Sequence, residues 1–244
     1  MQDDQNTLYE ITRENTTVIL LPKNSTKKYS SVLIWLTGLE ESSEDYIDMF
    51  NHNPSILPHP ENNKIIILCG EKMKITAFQF DSDGNEEVYS WFDYTSYFNI
   101  TENNVDSINY EDMKKSANRI KEYIEKEAEY LKGYDNIFLG GFSQGACMSL
   151  YVGLSYDKLL GGIISCSGAL YPNTNINKNN EKVRIFVSHG ELDDLIPKNI
   201  NEISLKKINH YPNLELHYYP SIGHFIEQNT LIDLKNFFFK YMQY

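Results

Sequence analysis

Cysteine is scarce: Cys69, Cys147 and Cys166 are the three in 244 residues, and they stand far apart. Neither a disulfide framework nor the paired spacing of a zinc site can be assembled from them. The composition therefore predicts a reducing compartment, the cytoplasm. Long apolar runs are missing too. The longest, VLIWL at 32–36 and KIIIL at 64–68, are strand-sized, against the roughly 20 residues of a membrane-spanning helix. The opening MQDDQNTLYE has neither the basic nor the apolar segment of a secretory leader. Positive charge is in deficit: 22 Lys and Arg against 34 Asp and Glu leave a net charge of -12. Such a surface repels phosphate. It excludes nucleic acid as the expected partner and electrostatic docking on anionic membranes. Glycosylation-like triplets at Asn15, Asn24 and Asn99 are read as chance matches in an Asn-rich chain.

What is present is a regular alternation of strand-sized apolar runs and helical patterns. That is the pattern of an α/β domain with a mostly parallel central sheet and helices on both faces. The strand candidates are 16–22, 31–38, 63–70, 136–141, 161–168, 183–190 and 214–220. The polar stretch KNSTKKYS suggests a hairpin joining the first two. Helices are expected at 41–51, 109–134, 143–156, 201–208 and 230–242. In the clearest, Met113, Ala117, Ile120, Ile124 and Leu131 share one face and Gly133 can end it. One domain over 1–244 accounts for this pattern, with 1–15 allowed as a loose N-terminal extension. Segment 71–108 is the least regular. It holds an expected exposed turn, DSDGNEE, and the aromatic stretch YSWFDYTSYFN.

Gly141-Phe142-Ser143-Gln144-Gly145 matches G-x-S-x-G between a predicted strand and a predicted helix. Small residues at both ends let strand and helix approach, and the serine can then sit in a strained turn with its hydroxyl exposed. The backbone N–H of Gln144 would face the same space, at a helix start whose dipole favours negative charge. A glycine-rich connection with an incidental serine is the alternative. A serine nucleophile needs a base, and the base an orienting carboxylate. SHGELDDLIP offers Asp193 or Asp194 at the end of one strand, and Glu191 less well; YPSIGHF offers His224 after the next. His189 also ends a strand but precedes the acid. All of these fall at strand C-termini, where ligands bind in open α/β sheets.

GGFSQGACMSLYVGL, SWFD at 90–93, HGELDDLIP and YPSIGHFIEQNTLIDLKNFF together resemble, in order, the blocks of the acyl-protein thioesterase/carboxylesterase family of α/β-hydrolases. The likeness spans about residues 16 to 241. It implies the α/β-hydrolase fold and a serine esterase or thioesterase with no cofactor and no metal. The implied catalytic residues are Ser143, Asp193 and His224, the resemblance selecting Asp193. It also implies oxyanion donors at the N–H groups of Leu39 and Gln144. The substrate would be an acylated protein or a small lipid or ester. Phe78, Trp91 and Phe92 are candidate linings of an acyl channel, with core packing as the other reading of each. Two blocks depart from the family. Where it has L-H-G-x-G this chain reads LTGLE, so Thr37 and Glu40 replace His and Gly, and CGEKMKIT after the third strand lacks a proline. These departures leave room for a scaffold that binds or assembles with a protein partner and turns over little, or for an esterase of small esters or lysophospholipids.

Overall fold

The computed structural model describes residues 7–242, apart from 25, 27, 53, 80–85 and 96–106. Along the chain lie β1 (Tyr9–Glu14), β2 (Thr17–Pro22), β3 (Ser31–Leu36), α1 (Ile47–Asn51), β4 (Asn63–Leu68), β5 (Glu71–Met73) and β6 (Val88–Ser90). Then come α2 (Tyr110–Leu131), β7 (Ile137–Phe142), α3 (Gln144–Ser155), β8 (Gly162–Cys166), β9 (Ile185–Gly190), α4 (Lys198–Ser204), β10 (Leu214–Tyr219) and α5 (Gln228–Tyr241). Eight strands form one sheet in the order β1-β2-β4-β3-β7-β8-β9-β10, and β5 and β6 make a separate antiparallel pair. From β4 to β10 every pairing is parallel; β1 with β2 and β2 with β4 are antiparallel.

The central strands are buried on both faces, and alternate residues serve the two sides. Val32, Ile34 and Leu36 pack with α2 and α3. Leu33 and Trp35 pack with α1 and α5, through Phe50, Leu234, Phe237 and Phe238. This is why the parallel strands read as continuous apolar runs rather than alternating ones. Helices on both faces and a mostly parallel sheet are as expected from the sequence.

The N-terminal hairpin differs from expectation. β2 does not pair with β3. It pairs with β1 on one side and β4 on the other, and β3 lies at the sheet centre. All six residues of β3 are buried, which an outer position would not allow. The hairpin instead turns at Asn15, whose φ of 53° is a left-handed conformation that Asn tolerates well. Residues 9–14, expected as part of a loose extension, are the strand β1; residues 1–6 lie outside those described.

Helix α2 begins where the Asn109 side chain accepts hydrogen bonds from the N–H groups of Glu111 and Asp112. It ends with Lys132 in the left-handed region at φ 61°, in place of the expected Gly133. On its buried face the Glu127 carboxylate meets Lys64 Nζ at 2.6 Å and the Tyr29 hydroxyl at 2.7 Å. The expected turn at 81–87 falls largely outside the described residues, as does Asn99.

Candidate active site

Ser143 sits between the last residue of β7 and the first of α3. Its backbone is at φ 52°, ψ −120°, a region that costs a non-glycine residue on the order of 1–3 kcal/mol. The turn is held from outside. Ser143 N–H donates to Cys166 C=O at 2.9 Å, and the neighbouring glycines leave no room to relax. A Cβ on Gly145 would lie 2.2 Å from the Leu36 carbonyl oxygen, and one on Gly141 2.6 Å from the same atom. Strand β3 therefore presses directly on the turn, and the G-x-S-x-G spacing is the sequence trace of that contact.

His224 follows β10 and Asp193 follows β9, and the structure brings both to Ser143. His224 Nε2 is 2.8 Å from Ser143 Oγ, and His224 Nδ1 is 2.7 Å from Asp193 Oδ2. This geometry suits the tautomer with the proton on Nδ1, donated to Asp193, leaving Nε2 to accept from the serine hydroxyl. The other carboxylate oxygen, Asp193 Oδ1, accepts from the N–H groups of Leu195 and Ile196 at 3.0 and 2.8 Å. Phe142 packs against the His224 ring, with centroids 5.0 Å apart. Asp194 is exposed, and Glu191 is paired with Lys198. His189 lies behind the acid, its Nε2 2.7 Å from Ile196 C=O and 3.4 Å from Asp193 Oδ2. Burial holds this imidazole below its ordinary value. Burial also pushes the Cys147 thiol up to about 11 and the Cys166 thiol to about 12, so neither offers a thiolate near neutral pH.

Ser143 and His224 open onto a cleft of about 1000 Å³. Phe78, Tyr94, Val88, Met49, Leu195 and Phe225 contribute to its apolar lining. Leu195 and Phe225 are 53% and 66% exposed, so the mouth carries bare apolar surface. Of the three aromatics expected at a channel, Phe78 lines the cleft. Trp91 and Phe92 do not. Both are in the core, at 0% and 1% exposure.

The reason lies in their hydrogen bonds. Trp91 Nε1 donates to Thr37 C=O at 2.9 Å, and Trp91 N–H donates to the Gln144 side-chain carbonyl at 2.9 Å. Gln144 Nε2 donates to Ser90 Oγ and to Phe92 C=O at 3.0 and 3.1 Å. Asp93 accepts from Thr76 N–H at 2.7 Å. The SWFD segment is thus a clamp joining the loop after β3 to the start of α3.

The loop after β3 is the part least legible from sequence. Glu40 stands in the left-handed region at φ 68°, a conformation suited to glycine. Its side chain is exposed. The neighbouring carboxylate, Glu41, turns inward and lines the cleft. Glu41 Oε2 accepts from Gly38 N–H at 2.6 Å and from the Tyr46 hydroxyl at 2.5 Å. Burial raises its pKa, and these two hydrogen bonds oppose that rise. The sequence marks Glu40 as the departure from the family's loop, whereas the carboxylate that makes the inward hydrogen bonds is that of Glu41. The available hint for Glu41 was SSED at 42–45, a capping pattern that starts a short 3₁₀ turn, Ser43–Tyr46, and so brings Tyr46 back over the loop.

Residues 19–242 match the phospholipase/carboxylesterase family. The chain belongs to that family. It is a hydrolase with the α/β-hydrolase fold. Its similarities include acyl-protein thioesterase 1 of Schizosaccharomyces pombe, 26% identical over 194 residues, with 75% of this chain and 77% of that one covered. Acyl-protein thioesterase 1 of Debaryomyces hansenii is also 26% identical, over 223 residues, covering 86% and 91%. Among solved structures, Zea mays acyl-protein thioesterase 2 superposes with a TM-score of 0.73 at 19% identity, covering 93% of this chain and 99% of that one. Arabidopsis thaliana SOBER1 gives 0.71 at 22%, covering 87% and 99%. At those identities the structural likeness speaks for the fold. Among the described residues, no helix is long and apolar enough to cross a membrane.

Proposed function

We propose that this family member hydrolyses acyl thioesters or carboxylic esters through an acyl-enzyme on Ser143. The observation that carries the reading is the unbroken hydrogen-bond relay from Asp193 through His224 to Ser143 at the cleft. His224 takes the Ser143 proton as Oγ attacks the carbonyl, then gives it to the departing thiol or alcohol. Asp193 keeps the imidazole oriented and stabilises it when charged. The oxyanion is received by the N–H groups of Gln144 and Leu39; one such donor contributes about 3 kcal/mol to the transition state. Water then releases the acid. The apolar cleft suits an acyl chain, and the acyl-protein thioesterases among the relatives support an acylated protein or a lipid ester as substrate, with protein depalmitoylation as one such reaction. Three buried free thiols support a cytoplasmic setting.

Ser143→Ala is expected to abolish p-nitrophenyl ester hydrolysis, a loss of about 10⁴-fold or more, with an unchanged circular dichroism spectrum. Fluorophosphonate labelling, located by peptide mass, is expected at Ser143. Undiminished turnover in the variant, or labelling at another serine, rejects the assignment. Comparing a palmitoyl-thioester peptide with short esters and a lysophospholipid then assigns the substrate. No labelling of folded wild-type protein would favour the scaffold reading, which the departures at Thr37 and Glu40 motivate.

A further inference from the structure

We infer that Glu41 is a positioning residue for this reaction: its carboxylate sets the loop after β3 so that the Leu39 N–H is left free for the oxyanion. The inference rests on the reading of Ser143 as nucleophile and of Leu39 as a donor.

Three consecutive N–H groups lie on this loop, and their partners alternate. Gly38 N–H donates to Glu41 Oε2 at 2.6 Å, and Glu40 N–H donates to Tyr89 C=O at 2.8 Å. Between them the Leu39 N–H has no hydrogen-bond partner among the described residues, and Leu39 lines the cleft together with Ser143 and Gln144. Buried backbone N–H groups rarely go without a partner, and one at a cleft wall is open to water or to a ligand. One left open beside a nucleophile, between two that are fixed, is what an oxyanion donor needs.

Glu41 can hold this arrangement because it is itself held. The Tyr46 hydroxyl donates to the same oxygen, Oε2, and the Glu41 backbone carbonyl accepts from Thr37 Oγ1 at 3.1 Å. The carboxylate thereby closes residues 37–41 on themselves. Thr37, where the family has His, supplies one bond of that closure. Glu40, where the family has Gly, accepts the left-handed backbone that the closure requires.

The negative charge is not needed for this. Both hydrogen bonds land on one oxygen, so the amide oxygen of Gln can accept both. Charge at this position in fact opposes a developing oxyanion. The role therefore separates cleanly from a purely electrostatic one.

The test is steady-state p-nitrophenyl butyrate hydrolysis and fluorophosphonate labelling of the full chain, with thermal unfolding measured alongside. Glu41→Ala is expected to lower kcat about 100-fold with KM within about 3-fold, since the lost term is donor placement in the transition state. Labelling should slow in step, because the phosphonyl oxygen occupies the same donors. Glu41→Gln is expected to keep kcat within about 3-fold of wild type or to exceed it. If Glu41→Ala does not fold, Tyr46→Phe carries the test, with kcat lower by about 5-fold and KM unchanged. Wild-type kcat in Glu41→Ala, or in Tyr46→Phe where that variant stands in, overturns the inference while the nucleophile assignment stands. Glu41→Gln as slow as Glu41→Ala overturns it as well. A wild-type protein that neither turns over nor labels removes both this inference and the function it rests on.

Discussion

The turn at Ser143 and the loop after β3 reach one cleft from neighbouring strands, yet different things hold them. The Ser143 turn is fixed by backbone against backbone. Its glycines touch the Leu36 and Thr37 carbonyls so closely that a methyl group does not fit. The loop at 37–41 is fixed by side chains: Trp91 on Thr37 C=O, Glu41 on Gly38 N–H, and Tyr46 on Glu41. A turn made by close approach admits few sequences and so leaves a motif. A loop made by props admits many, provided the props arrive together. That is how this chain departs from its family's L-H-G-x-G in the loop while keeping G-x-S-x-G in the turn.

The largest effect is expected where the two regions meet. Gly145→Ala puts a methyl group 2.2 Å from Leu36 O and 2.4 Å from Thr37 O. It should lower unfolding stability by about 3 kcal/mol or more in a urea titration and remove fluorophosphonate labelling. An unchanged midpoint would show that the close approach is not obligatory.

Trp91→Phe removes one of the loop's props and also thins the core around a fully buried side chain. It orphans the buried Thr37 carbonyl, at a cost of about 2 kcal/mol. It should lower kcat while the variant stays folded at room temperature; a drop in stability without any change in kcat would separate the clamp from the loop.

Smaller again is the effect of residue type at position 40. Glu40 is exposed at φ 68°, so Val there should be less stable than Gly by about 1–2 kcal/mol. The opposite order would mean that the loop relaxes out of the left-handed region.

The smallest concerns charge, and there the sign is the test. Burial raises the Glu41 pKa, while Tyr46 and Gly38 lower it by hydrogen bonding, Asp45 raises it and His224 lowers it through their charges. A carboxyl raised on folding favours the fold below its ordinary value, and that contribution is lost as pH rises through the raised value. Wild type should therefore lose stability relative to Glu41→Gln over that window, measured by urea midpoints from acid to neutral pH. A gap that moves the other way would mean that hydrogen bonds to the charged form outweigh its burial.

The parallel strands were legible because burial on both faces forces unbroken apolar runs, as IIIL in β4 and IFL in β7. The serine turn was legible because its glycines have no substitute. Strand β1 was not. Past Tyr9 its residues are all exposed, so it presents no pattern facing the core and is a strand only through its pairing with β2. Trp91 and Phe92 could not be assigned from composition, since an aromatic lining a channel and one filling a core look the same in sequence. Hydrogen bonds to Thr37 and Gln144 decide between them. Glu41 was hidden for a related reason. Its place in the cleft lies in which donors it meets, and those are set by how a short 3₁₀ turn folds back.

Strand β1 has a consequence for how this molecule behaves among copies of itself. It terminates the sheet, and a terminal strand offers unpaired amides to any extended segment that drifts past. Here that rim bears Glu10, Arg13 and Glu14 along an otherwise exposed ribbon, and Arg13 is tied by its guanidinium to Glu44. Charges spaced along a border of this kind make a poor template for a foreign strand.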